Sequence, residues 1–320
     1  MKALIIGVGG QDGSYLAQLL LNNNYTVVGS SRNAELNDFS NLKKLNIFNN
    51  IELITIDIKN KQNIEKAIKD HKPNEIYNLS GQTSVGASFT DRVETYESIF
   101  LGTLNILESI KNVNTDIKFF SAGSGEVFGG NGENLSTETS TISPMSPYGS
   151  AKASSLYLVD SYRNSFGIFC STGITFNHES PLRPDHFVTQ KIIKTAFEIS
   201  IGRKEKLSLG NIDIQRDWGW APEYVSAMHL ILQHNKPDNF IISTGKITSL
   251  KNFISLTFSF FNLDHNNFIE IDSSLIRQTD IEINGGNPNK IYNEIGWKSD
   301  LGIEDIVIKM CKNIENRIKL

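Results

Sequence analysis

Four polar side chains of the chain could together act on an alcohol or a sugar: Ser124, Glu126, Tyr148 and Lys152. Tyr148 and Lys152 lie one helical turn apart, so in a helix both side chains can point into the same cleft. A Lys ammonium beside a phenol lowers the pKa of the phenol, which would make Tyr148 a base for a hydroxyl group near neutral pH. The same spacing also occurs by chance on solvated helices, but Pro147 is placed to open a helix here.

Ser124 and Glu126 follow the predicted strand Ile117–Ser121. The Ser124 hydroxyl could hydrogen-bond the substrate oxygen that Tyr148 deprotonates, although a serine in a glycine-rich turn can also be purely structural. A simple ketone reductase needs no carboxylate at position 126. An enzyme that first makes a 4-keto sugar can use one, because the ketone acidifies the adjacent C–H and a Glu base can then start the loss of water. The alternative for Glu126 is a surface ion pair.

A glycine turn, Gly7-x2-Gly10-x2-Gly13, follows the apolar run Ala3–Ile6. A strand that turns sharply into a helix presents free N–H groups and the positive end of the helix dipole, which suits a pyrophosphate. Glycines are needed because side chains would block both the turn and the phosphates. At the first strand-to-helix junction the motif predicts a dinucleotide site.

The end of the second predicted strand should reach the adenosine ribose of that dinucleotide. Arg32 stands there instead of an acidic residue, which favours a 2′-phosphate and hence NADP over NAD; an ordinary surface arginine is the alternative. Asp57 and Ile58, after the third strand, could contact the adenine, although Asp57 could equally cap a helix.

Short β-branched runs alternate with segments of helical period. The predicted strands are Ala3–Ile6, Thr26–Gly29, Ile51–Ile56, Glu75–Leu79, Ile117–Ser121 and Phe169–Phe176. The predicted crossover helices are Ser14–Leu21, Ile64–Lys69, Val93–Ile110 and Tyr148–Phe166. This alternation predicts an α/β fold with a Rossmann-type doubly wound parallel sheet. We predict an NAD(P)-binding domain over 1–176, to which segments at about 207–235 return, and a smaller C-terminal substrate-binding lobe over 177–320.

The composition excludes several classes of protein. The 320 residues are 39% hydrophobic and 21% charged with a net charge of −4, which argues against disorder and against a nucleic-acid surface. No apolar run approaches the roughly 20 residues of a membrane span, so a cytoplasmic protein is expected. Cys170 and Cys311 stand in unrelated contexts and the histidines show no paired spacing, so no disulfide framework and no metal site are expected.

Longer motifs resemble the extended short-chain dehydrogenase/reductase family, and within it the GDP-mannose 4,6-dehydratases. The resemblance rests on these segments: Gly7–Leu16, Asn78–Val85, Ser124–Gly129, Ser146–Lys152, Phe176–Pro181, Phe187–Lys191 and Gly210–Gly219. The sequences Gly-Gln-Asp-Gly, Asn-His-Glu-Ser-Pro and Arg-Asp-Trp-Gly within them are the most specific to that family.

The resemblance implies a role for each matching residue. The catalytic positions would be Ser124, where the family has Thr, with Glu126, Tyr148 and Lys152. The cofactor would contact Gly7, Gly10, Gln11, Asp12, Gly13, Arg32, Asp57, Ile58, Leu79, Ser80, Gly81, Gln82, Thr83, Tyr148, Lys152, His178 and Arg183. The nucleotide sugar would contact Ser84, Ser124, Glu126, Tyr148, Asn177, Val188, Lys191, Arg216 and Arg277, with the arginines on its diphosphate.

Some positions depart from the family. Only Arg32 remains of an arginine pair near the 2′-phosphate, with Glu35 close by, and Gly125 replaces a Ser beside Glu126. The segment Asn284–Pro288 departs from the usual Gly-Asp-Pro, which bears on the base and sugar recognised. A homodimer through Val93–Ile110 and Tyr148–Phe166 is expected, with a tetramer as the alternative.

The predicted activity is that of a hydro-lyase: a nucleotide-sugar 4,6-dehydratase acting on GDP-mannose with internally recycled NADP(H), NAD being the alternative cofactor. Tyr148 would take the C4 hydroxyl proton while hydride passes to NADP+, and Glu126 would remove the C5 proton and assist the loss of water from C6. The alternatives are a GDP-4-keto-6-deoxy-sugar reductase or a sugar epimerase on the same fold, and a binding module that keeps the dinucleotide as a sensor. Glu126 argues against the reductase.

Overall fold

The computed structural model describes residues 1–130, 132, 134–276 and 279–318. The strands are β1 (Lys2–Ile6), β2 (Thr26–Ser31), β3 (Glu52–Thr55), β4 (Glu75–Asn78), β5 (Lys118–Ser124), β6 (Cys170–Thr175), β7 (Asn177–Glu179), β8 (Leu207–Leu209), β9 (Gln215–Trp220), β10 (Asn239–Ile242), β11 (Ile247–Ser249), β12 (Ile269–Ile271) and β13 (Ile283–Asn284). The helices are α1 (Gln11–Asn22), α2 (Ser40–Lys44), α3 (Lys61–His71), α4 (Arg92–Tyr96), α5 (Gly102–Val113), α6 (Pro147–Phe166), α7 (Val188–Ser200), α8 (Ala221–Gln233), α9 (Leu250–Phe260), α10 (Asn289–Ile295) and α11 (Ile303–Ile318). A π-helical turn, Glu97–Leu101, joins α4 to α5, and 3₁₀ turns lie at Phe48–Asn50, Ala87–Phe89, Gly125–Phe128, His265–Asn267 and Ser273–Leu275.

Seven parallel strands form the main sheet, in the order β10-β6-β5-β4-β1-β2-β3. Alternate residues of each strand face opposite layers, so Ile5 packs with α1 and α8 whereas Leu4 packs with α3, α5 and α6. Helices therefore cover both faces, which confirms the predicted doubly wound fold. Six of these strands overlap predicted strands, and β10 has no predicted counterpart.

The second half of the chain builds a smaller lobe with its own apolar core. In it β9 pairs with β7, β11 and β13, and β8 pairs with β12. Side chains of α7, α9 and α11 share one core cluster with Leu207 and Leu209 of β8. By contrast, Met228 of α8, Phe240 of β10 and Ile291 of α10 pack in a core of the main sheet. The division at residues 176 and 177 stays a prediction.

Within the described part of the chain, no helix combines the length and the apolarity that crossing a membrane requires. Cys170 and Cys311 are both buried free thiols.

Asp217 in β9 ties the smaller lobe to the turn that follows β10. One carboxylate oxygen, Oδ1, accepts hydrogen bonds from the N–H (2.9 Å) and the hydroxyl (2.7 Å) of Thr244, and Oδ2 accepts one from the N–H of Gly245 (2.8 Å). Burial raises the pKa of Asp217 from 3.8 to about 6, although these donors oppose the shift. The buried carboxylate therefore binds a proton more readily in the folded chain than in the unfolded chain.

This raised pKa predicts a measurable dependence of stability on pH. The contribution of Asp217 to the free energy of unfolding is complete below pH 4 and is lost as the pH rises through 6, a change of about 3 kcal/mol. Asp217→Asn removes this titration and leaves the other titratable groups in place. Denaturant unfolding of both proteins between pH 4 and 7 should show the stability of the wild type falling relative to the variant; a constant difference would contradict the prediction.

Candidate functional site

A cavity of about 380 Å³ lies between the carboxyl ends of the main-sheet strands and the smaller lobe. This edge of an open parallel sheet is where ligands bind in such folds. From the main-sheet side it is lined by Asp12, Leu79, Ser80, Thr83, Ser84, Ser124, Glu126, Tyr148 and Lys152. From the other side it is lined by residues that include Asn177, His178, Glu179, Arg183, Val188, Lys191, Arg216 and Asn284. The tertiary structure thus brings together side chains from widely separated segments.

The four side chains singled out for chemistry all face this cavity. Ser124 is the last residue of β5, and its Oγ accepts the N–H of Glu126 at 3.3 Å. Tyr148 lies in the first turn of α6, which Pro147 opens and which Ser146 caps by accepting the N–H of Gly149 at 3.0 Å. Lys152 follows one turn later on the same helix. The chain therefore converges on one cleft with a hydroxyl, a carboxylate, a phenol and an ammonium group.

The pKa of Tyr148 differs from the sequence-based expectation. Burial raises it from 10.0 to about 12, while a hydrogen bond with Ser124 lowers it and the charge of Glu126 raises it further. Lys152 instead donates to the carbonyl of Ala122 at 2.7 Å, and its Nζ lies 5.8 Å from the centroid of the Tyr148 ring. Burial lowers the pKa of Lys152 to about 8. The expected lowering of the Tyr148 pKa is therefore absent, because desolvation of the phenol outweighs the hydrogen bond with Ser124 and the positive charge of Arg183.

The space around Gly125, beside Glu126, explains why this residue is a glycine. A Cβ at Gly125 would lie 2.7 Å from the ring of Phe176, which leaves no room for a side chain. The departure from the family's Ser at this position is thus accompanied by an aromatic ring packed against the turn that carries Ser124 and Glu126.

The glycine turn has the shape expected for a phosphate cradle. Gly7 has a φ of +92°, and a Cβ there would lie 2.8 Å from the carbonyl oxygen of Leu79. A Cβ at Gly13 would lie 2.3 Å from the carbonyl oxygen of Gly7, so the first turn of α1 can pack on β1 only without that side chain. Gly10 precedes α1 in an extended conformation and leaves the helix N-terminus free of a side-chain cap. The residues present therefore fit a bound pyrophosphate.

Two of the family-specific motifs interlock at the N-terminus of α1. Asp12 contacts His178 with 2.9 Å between Oδ2 and Nε2, and the Ser180 hydroxyl donates to Gln11 Oε1 at 2.8 Å. Burial opposes both charges, but the pair lowers the pKa of Asp12 and raises that of His178. The Nδ1 atom of His178 lies 2.7 Å from the carbonyl oxygen of Phe176, which suits a doubly protonated imidazolium. Gln11 and Asp12 thus hold β7 against the turn that would bind phosphate.

Glu179 is a buried carboxylate in the cavity wall that the sequence analysis did not single out. Thr189 donates to its Oε2 at 2.7 Å, and the Nε of Arg183 lies 3.6 Å from the same oxygen. Burial raises the pKa of Glu179, and Arg183 partly offsets this shift. The Arg183 guanidinium also lies 3.7 Å from the centroid of the Phe187 ring. The position of Glu179 inside Asn-His-Glu-Ser-Pro was the signal that could have found it.

The adenosine end of the expected cofactor site lies outside this cavity. Arg32 forms an ion pair of 3.5 Å with Glu94, and its side chain is 73% exposed. Lys59 bridges Glu94 at 2.9 Å and Glu97 at 3.2 Å. Asp57 accepts the N–H of Lys59 at 3.0 Å, whereas Ile58 is buried in the core. The cap of α3 is Asn60, so Asp57 caps a turn and not that helix.

The remaining expected cofactor residues surround the glycine turn. The N–H of Leu79 donates to Ile6 at 2.9 Å, and Ser80 Oγ donates to Asn78 at 2.6 Å. Gly81 has a φ of +107°, and the Gln82 side chain donates to the carbonyl of Ser84 at 2.6 Å. These hydrogen bonds therefore fix the conformation of the segment that follows β4.

Of the residues expected to hold a nucleotide sugar, Ser84, Ser124, Glu126 and Tyr148 line the main-sheet side of the cavity, and Asn177, Val188, Lys191 and Arg216 line the opposite side. Lys191 Nζ donates to the Ser208 carbonyl at 2.7 Å, and the buried Arg216 lies 4.0 Å from Asp280. Arg277, the remaining expected substrate residue, lies outside the described residues.

A family model described as GDP-mannose 4,6 dehydratase matches residues 4–310. The chain is similar to GDP-mannose 4,6 dehydratase 1 of Arabidopsis thaliana, with 35% identity over 96% of this chain and 88% of that protein. It is 34% identical to GDP-mannose 4,6 dehydratase of Homo sapiens, over 96% of this chain and 90% of that protein. It is 33% identical to GDP-mannose 4,6-dehydratase of Vibrio cholerae, over 97% and 92% of the two chains.

Solved structures share the fold at lower identity. A dTDP-glucose 4,6-dehydratase from Bacillus anthracis in complex with NAD superimposes with a TM-score of 0.88 and 20% identity, covering 100% of this chain and 98% of that chain. A UDP-glucose 4-epimerase from Thermotoga maritima with UDP-glucose gives a TM-score of 0.88 and 21% identity, covering 99% and 100%. At these identities the likeness extends to the fold alone.

Proposed function

The chain belongs to the GDP-mannose 4,6-dehydratase family, and on that premise we propose that it is a lyase that converts GDP-mannose into GDP-4-keto-6-deoxymannose and water. The observation that carries the proposal is the convergence of Ser124, Glu126, Tyr148 and Lys152 on one cavity beside the glycine turn. A carboxylate next to the phenol is what separates elimination of water from simple alcohol oxidation.

NADP, with NAD as the alternative, would be held by the glycine turn, the Leu79–Thr83 segment, the His178–Arg183 wall and Arg32. The close packing that Gly7 and Gly13 allow supports this assignment, because it brings the N-terminus of α1, which has no side-chain cap, directly after β1. When bound, the nicotinamide accepts two electrons from the sugar and later returns them, so that the overall reaction is a loss of water.

Tyr148 would accept the proton of the C4 hydroxyl, with Ser124 orienting the same oxygen by a hydrogen bond. Because burial raises the pKa of Tyr148 to about 12, the phenol is protonated near neutral pH and must release that proton to solvent before it can accept the one from C4. Lys152, with its ammonium group fixed by the Ala122 carbonyl, supplies positive charge behind the phenol. The proton taken from the C4 hydroxyl would be returned to C5 of the sugar in the last step, in which C6 is reduced.

Glu126 would act on the 4-keto sugar. The ketone acidifies the C5 proton, and the carboxylate removes it; the same carboxyl group then protonates the C6 hydroxyl, which leaves as water. One proton is thus moved from C5 to the leaving oxygen. Because Glu126 follows Ser124 in a tight 3₁₀ turn, its carboxylate would lie close to the carbon atoms that neighbour C4 when Ser124 binds the C4 oxygen.

Incubating the purified chain with GDP-mannose and no added reductant tests the proposal. We expect ketosugar to form in multiple turnovers. It is detected by mass spectrometry as a product about 18 Da lighter than GDP-mannose, which is the mass of one water molecule. A reductase would leave the substrate unchanged, an epimerase would give a product of equal mass, and a dinucleotide-binding sensor would give no product. Any of these three results would refute the dehydration.

The Arg32–Glu94 ion pair predicts how the chain discriminates between NADP and NAD. Glu94 neutralises the one cation expected at the 2′-phosphate, so Glu94→Gln should strengthen NADP binding about three- to tenfold and leave NAD binding unchanged. Glu97→Gln is the matched control, because Glu97 is paired with Lys59. Calorimetric Kd values for both nucleotides measure the effect; an equal change in both variants, or in both nucleotides, would contradict it.

We further propose that the chain is a homodimer that buries the surface formed by residues 93–110 and 148–166, which comprise most of α4, the π-helical turn, part of α5 and α6. Val93 of α4 is 72% exposed and Tyr157 of α6 is 58% exposed, and Tyr96 of α4 and Leu101 of the π-helical turn are also exposed apolar residues. The hydroxyl of Tyr96 donates to Ser150 at 2.8 Å, so the two helices form one continuous surface. Exposed apolar side chains grouped in this way are typical of an interface.

Tyr157→Glu combined with Val93→Glu is expected to convert the dimer into monomers, because two carboxylates per subunit would have to be buried. Sedimentation equilibrium would show the mass fall by half. Tyr292→Glu, a change at an exposed tyrosine of α10, should leave the dimer intact. A wild-type chain that sediments as a monomer would contradict the proposal.

A cytoplasmic location is also proposed. The two buried free thiols support it, since thiols persist in a reducing compartment.

A further inference from the structure

Asn284, the last residue of β13, has a buried polar side chain. Its residue is 3% exposed and lines the cavity. Its amide oxygen Oδ1 is buried and accepts no hydrogen bond within the described part of the chain. Burying an amide carbonyl without a donor is unfavourable, so a group that enters the cavity and donates a hydrogen bond there would be bound preferentially.

The position of Asn284 indicates which part of a ligand it can reach. In β13 it lies opposite Arg216 of β9. In an extended chain, residues two apart have their side chains on the same side of the backbone, so Asn284 and Gly286 share a side. A Cβ at Gly286 would lie 2.5 Å from the Phe176 ring. That ring also packs against Gly125, between Ser124 and Glu126. The Asn284 side chain therefore faces the part of the cavity that holds the catalytic turn.

The chemistry of an amide oxygen indicates which part of the ligand can hydrogen-bond to Asn284. With the amide in the orientation that the structure shows, a diphosphate cannot satisfy Oδ1, because it offers only acceptors at neutral pH. The reversed amide would donate Nδ2 to a phosphate, and an equal loss of GDP and GDP-mannose binding in the experiment below would identify that arrangement. Hydroxyl groups of a sugar can, and the sugar next to Ser124 and Glu126 is the hexose on which they act. We propose that Asn284 accepts a hydrogen bond from a hexose hydroxyl and so contributes to the choice of sugar. This inference rests on the proposed function, because it takes a nucleotide-linked hexose as the occupant of the cavity.

Binding measurements can isolate this contact. Kd values for GDP-mannose and for GDP are measured by calorimetry in a Tyr148→Phe background, which prevents turnover. Asn284→Ala and Asn284→Leu should each weaken GDP-mannose binding about tenfold and change GDP binding less than about twofold. Asn287→Ala is the matched control: Asn287 lies in the same segment, and its Oδ1 already accepts the N–H of Asn289 at 2.9 Å. It should change neither Kd.

Substrate analogues identify the hydroxyl. Among GDP-linked mannoses that each lack one hydroxyl, one should bind Asn284-containing protein about tenfold more weakly and bind Asn284→Ala no more weakly than GDP-mannose does. Unchanged GDP-mannose binding in Asn284→Ala, or an equal loss for GDP, would overturn the inference. The assay reads binding alone, so a chain that passes it but forms no ketosugar would refute the proposed dehydration and leave this contact standing.

Discussion

Tyr148→Phe is expected to lower kcat for ketosugar formation by about 10³-fold or more, with KM nearly unchanged. Loss of the phenolic oxygen removes the group that accepts the C4 hydroxyl proton, and general acid–base groups contribute roughly 10²- to 10⁴-fold. Ser124 cannot replace it, because a serine hydroxyl is a far weaker base without a partner that takes its own proton. Steady-state rates with GDP-mannose give kcat, and tryptophan quenching gives the NADP affinity, which should not change.

The matched control for this change is Tyr292→Phe. Tyr292 is exposed on α10 and is absent from the cavity wall, so its variant should keep wild-type rates. Nearly full activity in Tyr148→Phe, with normal cofactor binding, would mean that the chain does not use Tyr148 as its base and would favour a binding role for the dinucleotide.

Glu126→Gln is expected to lower kcat for dehydration by about 10²- to 10⁴-fold while oxidation at C4 continues. The amide can neither remove the C5 proton nor donate a proton to the leaving C6 hydroxyl. Tyr148 and Lys152 stay in place, and loss of the Glu126 charge removes one influence that raises the pKa of Tyr148, so the first step should be retained. In a single turnover the near-ultraviolet absorbance of reduced nicotinamide should therefore appear and persist, whereas in the wild type it should be transient.

Exchange of the C5 proton with deuterated solvent gives a second readout of the same variant. It should be lost in Glu126→Gln and retained in Glu270→Gln, which changes an exposed glutamate of β12 in the same chemical way. Normal C5 exchange in Glu126→Gln would assign proton removal to another residue of the cavity, and the buried Glu179 would then be the group to test.

Much of this site could be derived from local sequence patterns. Repeated β-branched runs separated by helical segments predicted six strands of the main sheet, and the glycine spacing located the phosphate turn. Tyr148 and Lys152 were recognisable because a helix fixes the relation of residues four apart. β10 is as long as β3 and β4, but it lies in the second half of the chain, outside the regular alternation of strands and helices, and it joins the main sheet through its pairing with β6. It was therefore missed.

Electrostatic properties were not predictable in the same way. The sequence pairs Lys152 with Tyr148, yet the ammonium group donates to Ala122, and burial raises the phenol pKa to about 12. A pKa depends on how far surrounding segments exclude water, and that exclusion comes from contacts between distant parts of the chain.

The sequence by itself determined the order of six main-sheet strands and of the crossover helices between them, the glycine turn and the identity of the four groups placed for chemistry, since each depends on neighbours within a few residues. Only the tertiary structure decided that Gln11 and Asp12 hold Ser180 and His178, that Glu179 is buried beside Arg183, and that Asn284 reaches the cavity with its amide oxygen buried. The contacts of Gln11 and Asp12 join segments far apart in the chain. They arise because the smaller lobe packs on the edge of the sheet and buries polar groups there. Such groups are stable when they hydrogen-bond to each other or to a bound ligand.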